Sequence, residues 1–241
     1  MSLDGKLILI TGAALRVGHY LALTIARAGG DVVIHYNQSQ EQAQSLSDGI
    51  KAMGRKAFLL QADFTDPAQI TNLLPQAFEY GPLYALVNNA AIFGTLPWQA
   101  TTLEEWDRHL AVNLTAPFLL CQSFDRLLPA GQKGRIINVL DWRAFRPSAG
   151  RIPYTISKAA LAALTQALAV TLAPRITVNG LALGAVLPPS TGEAPPNILK
   201  NVPAGRWADL DEVGQALLFL LDGPEYITGE IIHVDGGRHL V

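Results

Sequence analysis

Short runs of Ile, Val and Leu alternate along the chain with longer segments whose apolar residues recur every three to four positions. The short runs predict strands at Leu7–Thr11, Val32–Tyr36, Lys56–Gln61, Ala85–Asn88, Arg135–Val139, Ile176–Asn179 and Ile231–Val234. The longer segments predict helices at Val17–Ala28, Glu41–Ala52, Pro67–Tyr80, Leu103–Leu128, Pro153–Ala173 and Asp211–Leu221. Strands this apolar are buried on both faces, and the helices between them serve as crossovers. The expected fold class is therefore α/β, one doubly wound domain over residues 1–241 with a seven-stranded parallel sheet flanked by helices. Gly29-Gly30 offers a C-cap for the first helix, while Pro75 and Pro117 predict kinks or breaks. One stretch interrupts the alternation. Residues 184–203 carry Pro188-Pro189, Pro195-Pro196 and Pro203, too long for an ordinary connection, and predict a loop over a site.

Composition narrows the function classes. The chain has 241 residues, 49% of them hydrophobic and 16% charged, enough for one large core. With 18 Lys+Arg against 20 Asp+Glu the net charge is −2, leaving no positive surplus to release counterions from a phosphate backbone, so nucleic acid is not an expected partner. Cys121 stands alone and no Cys/His cluster has metal-ligand spacing, which excludes an internal disulfide and predicts no metal. Met1 to Lys6 show no basic segment leading into an apolar one, and no uncharged apolar run approaches about 20 residues. A cytoplasmic protein without membrane contact is expected.

Two segments carry chemistry. Leu7 to Gly18 runs from a strand through Thr11-Gly12-Ala13-Ala14-Leu15-Arg16-Val17-Gly18 into a helix, where glycine admits a pyrophosphate to the backbone and the helix N-terminus offers unpaired N–H groups. Alone, the two glycines are equally an ordinary turn. No Asp or Glu closes the second strand to hold ribose hydroxyls, and Asn37, Gln38 and Ser39 can donate to a 2′-phosphate instead. In Tyr154-Thr155-Ile156-Ser157-Lys158 a phenol and an ammonium lie one turn apart on a helix, and the cation is expected to lower the phenol's pKa.

The order of these segments resembles the short-chain dehydrogenase/reductase family, whose turn reads Thr-Gly-x-x-x-Gly-x-Gly, with Asn88-Asn89-Ala90-Ala91 similar to its Asn-Asn-Ala-Gly. The resemblance covers about Lys6 to Leu240 and implies a Rossmann-type domain. Arg16 in place of a glycine, together with His35-Tyr36-Asn37-Gln38-Ser39, resembles the pteridine reductase branch, although Gln38 stands where that branch often has arginine. This implies NADPH bound through Gly12, Arg16, Val17 and Gly18 in the turn and His35 to Ser39 after the second strand. Asp63 is implied at the adenine, with a helix cap as the other reading. Asn89 and Ala90 are implied on the adenosine side, and Tyr154 and Lys158 at the nicotinamide ribose.

For catalysis the resemblance implies Tyr154 as proton donor, Lys158 as its cation, and Asn113 in a proton path. The family usually places a serine thirteen residues before the tyrosine, where this chain has Asp141. A carboxylate cannot donate to a carbonyl oxygen, but it accepts from the ring N–H groups of a pterin. The pteridine reductase branch also has aspartate there, and an aromatic at Phe93 that stacks on pterin. The implied substrate residues are thus Arg16, Phe93, Asp141 and Tyr154. A loop cap at Asp141 and simple core packing at Phe93 are the other readings. The tail Asp235 to Leu240 is similar to the branch's end, implying a homotetramer in which the tail approaches a neighbouring site. The expected activity is reduction of a dihydropterin or dihydrofolate by NADPH. A carbonyl or 3-oxoacyl reductase is the alternative, and a nucleotide-sensing interaction protein a third, which would need neither Tyr154 nor Lys158.

Overall fold

The computed structural model describes residues 2–94, 96–147, 149–188 and 198–241. Residues 189–197 of the predicted loop lie outside them. Among the described residues, seven strands form one parallel sheet: β1 (Leu7–Ile10), β2 (Asp31–Tyr36), β3 (Ala57–Gln61), β4 (Leu83–Asn88), β5 (Gly134–Asp141), β6 (Ile176–Leu183) and β7 (Ile231–Val234). Their order is β3-β2-β1-β4-β5-β6-β7. The connecting helices are α1 (Arg16–Arg27), α2 (Gln40–Ala52), α3 (Pro67–Glu79), α4 (Leu103–Leu110), α5 (Ala116–Leu127), α6 (Ile152–Leu172) and α7 (Leu210–Asp222).

The alternating side chains of each strand divide between two cores. Ile8, Ile10, Val32 and Ile34 pack with Leu21 and Ile25 of α1 and Leu217 of α7. Leu9 and Val33 face the other way, toward Ile70 and Leu73 of α3 and Phe124 of α5. Each such side chain, fully withdrawn from water, stabilises the fold by about 1.5–3 kcal/mol, which is why both sheet faces need helices. The order reverses between β1 and β4, so their C-terminal ends open a crevice there, the place where ligands bind in sheets of this kind.

Local signals act much as the chemistry predicts, with three adjustments. Gly29 takes φ +94°, and the N–H groups of Gly29 and Gly30 donate to the carbonyls of Ala26 and Ile25, closing α1 as a glycine C-cap does. Pro75 leaves α3 unbroken, because both it and Thr71, whose carbonyl loses its usual donor, face water. The predicted helix at Leu103–Leu128 is in fact α4, a π-helical turn at Ala111–Thr115, and α5. Pro117 has no N–H for the Asn113 carbonyl, and the wider turn absorbs that loss. β5 and β6 also run further than predicted, pairing through Asn138↔Gly180 to Asp141↔Leu183, so Asp141 ends a strand and also caps the short helical turn Trp142–Ala144.

α6 is long and apolar enough by composition to cross a membrane, with a mean hydropathy of 1.4. Here it packs along β5 and β6, with Leu161 and Ala162 against Leu140 and Ala182, and it turns the buried Lys158 toward the sheet.

Candidate active site

The turn after β1 is locked to the end of β4. Thr11 Oγ1 accepts from the backbone N–H groups of Asn89 and Ala90, both at 3.0 Å. Asn89 Nδ2 donates to the carbonyls of Thr11 at 2.8 Å and Gly12 at 3.1 Å. Two glycines are required here. Gly12 has φ +61° and a Cβ would lie 2.9 Å from Ala90 Cα, while a Cβ on Gly18 would lie 2.3 Å from the Gly12 carbonyl. The N-cap of α1, Leu15, provides no side-chain cap, so the first N–H groups of the helix stay open to an anion. Val17 packs against the first core beneath them.

Beside this turn lies a cleft of about 300 Å³ lined by Gly12, Ala14, Leu15, Tyr36, Asn37, Gln38, Ser39 and Arg108. Polar donors and a cation at the end of β2, next to an open helix N-terminus, fit a phosphorylated adenosine. Arg108 comes from α4 and was not singled out in the sequence, because no local pattern marks a helix residue that reaches the end of a distant strand.

Three residues expected at the cofactor make contacts within the chain. His35 is buried and touches the chain rather than the cleft. Its Nδ1 accepts from Gly12 N at 3.0 Å, so Nε2 carries the proton and donates to the Ala62 carbonyl at 3.0 Å, while the ring stacks on Phe64. Burial pushes its pKa down to about 4. His35 therefore positions the phosphate turn. Arg16 adopts a left-handed backbone, φ 55°, at a cost of about 1–2 kcal/mol. Its guanidinium donates to the Pro188 carbonyl at 2.7 Å, at the foot of the 184–203 stretch, rather than lining the adenosine cleft. Asp63 does not cap α3, since Asp66 does. The Asp63 carboxylate instead accepts from Thr65 N and Oγ1, both at 2.8 Å, and these bonds lower its pKa.

At the ends of β4, β5 and α6 the predicted catalytic residues meet. Tyr154 Oη donates to Asp141 Oδ2 at 3.1 Å. Asp141 Oδ1 accepts from the Arg143 backbone N–H at 2.8 Å, and Arg143 Nη1 reaches both carboxylate oxygens, at 3.2 and 3.3 Å. Phe93 stands edge-on to Tyr154, ring centres 4.6 Å apart, and is 46% exposed rather than spent on the core. Its loop is pinned from below. Asn113, on the π-helical turn, bonds both the N–H and the carbonyl of Ile92 and donates to Ser157 Oγ at 3.0 Å. Gly94 N donates to His109 Nε2 at 3.0 Å. The Asn113 side chain is thus taken up in holding the Ile92 backbone and Ser157.

Lys158 Nζ donates to the Val139 carbonyl at 2.7 Å, and burial brings its pKa down to about 8. The expectation that it lowers the Tyr154 pKa is not met. Burial first, and then the charge of Asp141, push the phenol well above its ordinary value, with Arg143 and Arg151 pulling the other way. A phenol in this state keeps its proton through neutral pH and gives it up less readily than a free tyrosine does. In the tail, Asp235 accepts from His239, and the Arg238 guanidinium carbon lies 4.3 Å over the Trp142 ring of the same chain.

The chain matches the family model described as short chain dehydrogenase over residues 6–198. It is 35% identical over 248 aligned residues to the 3-oxoacyl-[acyl-carrier-protein] reductase FabG of Escherichia coli (strain K12), with 100% of both chains covered. Among solved structures it is similar to FolM alternative dihydrofolate reductase 1 from Brucella suis in complex with NADP, at 34% identity and a TM-score of 0.90, over 98% of this chain and 96% of that one. A short chain dehydrogenase from Burkholderia cenocepacia J2315 in complex with NADP gives 35% identity and a TM-score of 0.91, over 99% of each chain. With its turn, paired asparagines, tyrosine and lysine in the geometry just described, this chain belongs to the short chain dehydrogenase family.

Proposed function

We propose that this protein is an NADPH-dependent reductase acting on a pterin of the dihydropterin or dihydrofolate type. Two relatives of known structure hold NADP, and the cleft at Tyr36 to Ser39 with Arg108 carries donors and a cation where a 2′-phosphate would lie. NADPH, when bound, supplies the hydride. Gly12, Gly18 and the open N-terminus of α1 receive its pyrophosphate, and the ammonium of Lys158 is available to its ribose.

The observation that carries the substrate reading is the Asp141–Tyr154 pair. Reduction of a carbonyl calls for donors around the developing oxyanion, and a carboxylate there offers none. Reduction of a pterin C=N bond calls for a proton on nitrogen and acceptors for the neighbouring N–H groups. Tyr154 retains the proton that the nitrogen needs. Asp141 accepts from the phenol and would accept from the ring edge, while stacking on the part-exposed Phe93 ring would add about 0.5–1.5 kcal/mol. A 3-oxoacyl reductase is the second reading, favoured by the identity to FabG over the whole chain and opposed by Asp141.

Asp141→Ser separates the two. Pterin kcat/KM should fall by about 100-fold, the scale of a lost charge-assisted contact together with a weakened proton path, while 3-oxoacyl reduction holds or rises. Undiminished pterin turnover in that variant, with NADPH affinity intact, would overturn the pterin reading.

A further inference from the structure

We propose that Arg143, Arg151 and Arg238 form an anion-binding subsite beside Phe93 and Tyr154, which takes a carboxylate or phosphate carried by the substrate outside the ring being reduced. Three guanidiniums gather around two aromatic rings. The Arg143 guanidinium carbon lies 4.6 Å from the Trp142 ring and 5.5 Å from that of Phe93. Arg151 lies 4.7 Å from the Phe93 ring and Arg238 lies 4.3 Å from the Trp142 ring. Phe93 in turn touches Tyr154, so the cluster borders the reacting centre.

Charge is unbalanced at this place. Arg143 is paired with Asp141, whose carboxylate is already shared with the Tyr154 hydroxyl. Arg151 and Arg238 make no ion pair among the described residues, and the Nε atoms of all three arginines are buried without an acceptor. A chain of net charge −2 has thus concentrated three cations around Asp141, with Asp235 as a second carboxylate acting on Arg238 and itself bonded to His239. Partial burial first and then the charge of Arg143 work against the protonated forms of Arg151 and Arg238, with Asp141 opposing both, so an arriving anion would offset these costs by direct attraction. Arg151 is also held at φ 54°, left-handed, on the residue before α6, a conformation that a side chain adopts only when its surroundings impose it. Planar guanidiniums over aromatic rings leave their edges free for bidentate contact with carboxylate or phosphate oxygens.

This inference deepens the pterin reading and rests on it for the choice of carboxylate, since a folate carries carboxylates beyond its ring and a simple pterin does not. It favours folate-type substrates. A phosphate on an acyl carrier arm has the same chemistry, so the test uses two matched pairs of probes. Calorimetry on the NADP-saturated protein measures binding of folate against biopterin, and of phosphopantetheine against pantetheine. Arg151→Gln and Arg238→Gln should each weaken folate about tenfold more than biopterin, the scale of one charge-assisted contact, and Arg151→Lys and Arg238→Lys should recover part of it. A response of phosphopantetheine alone would uphold the anion subsite and remove the pterin reading. If neither charged probe loses more than its uncharged partner while Tm and NADP affinity stay in place, the subsite is overturned, and the pterin reading stands or falls on Asp141→Ser.

Discussion

The turn after β1 and the end of β5 open onto the same edge of one sheet and are built in opposite ways. At the turn, Thr11, Asn89 and His35 spend their polar atoms on the backbone, and two glycines leave room for a ligand by having no side chain. At β5 the surface is made of charged and aromatic side chains, Asp141, Arg143, Tyr154 and Phe93, with guanidinium nitrogens left unpaired. A site for an invariant cofactor can be preorganised in backbone, because its ligand never changes. A site that must choose a substrate needs donors and acceptors whose balance one residue can alter.

The contrast is broken most severely on the substrate side. Tyr154→Phe should lower turnover by about 10²–10⁴-fold, the worth of a positioned acid, while the NADPH Kd stays within a factor of a few. A loss under tenfold would mean that another group delivers the proton. The nucleotide side should fail through stability instead. His35 is neutral in the fold, with a pKa near 4, but protonates near 6.5 when unfolded. Below 6.5 the unfolded chain binds the extra proton, so the full stability present above that pH is lost progressively as pH falls toward 4, by about 2 kcal/mol between pH 7 and pH 5. Urea unfolding at the two pH values checks this, and His35→Gln should flatten the slope. An unchanged slope would assign the loss to other groups.

The smallest effect sharpens the comparison within the cofactor cleft. Arg108 is the one cation lining it among the described residues. Arg108→Ala should cut the preference for NADPH over NADH by about tenfold, one charge-assisted contact, with NADH affinity unaltered. Arg16→Ala should change that ratio less, since the Arg16 side chain is bonded to Pro188. The reverse ranking would return the 2′-phosphate to Arg16.

How much of this was legible in the sequence follows the same division. Strand and helix positions were visible because the side chains of buried parallel strands and amphipathic helices repeat locally. Gly12, Gly18, Tyr154 and Lys158 were visible because motif spacing encodes their geometry. The direction of the Tyr154 pKa was not, since it depends on burial and on a carboxylate from another strand. His35 looked like a cofactor contact because its position in the sequence says nothing of which way the ring turns. Arg108, Arg151 and Arg238 lie far apart in the sequence, and only the folded chain brings Arg108 to the adenosine cleft and the other two to the Phe93 and Trp142 rings.

The central claim is that a carboxylate beside the proton donor marks a pterin site. Its most direct test is kcat/KM of the unmodified protein with NADPH for dihydropterin and dihydrofolate on one side and a 3-oxoacyl thioester on the other, in one preparation. The account predicts that the pterins exceed the thioester by about 100-fold or more, the scale of a site whose buried polar groups fit one ring and leave the other unpaired. Efficient thioester reduction with no pterin turnover would contradict it.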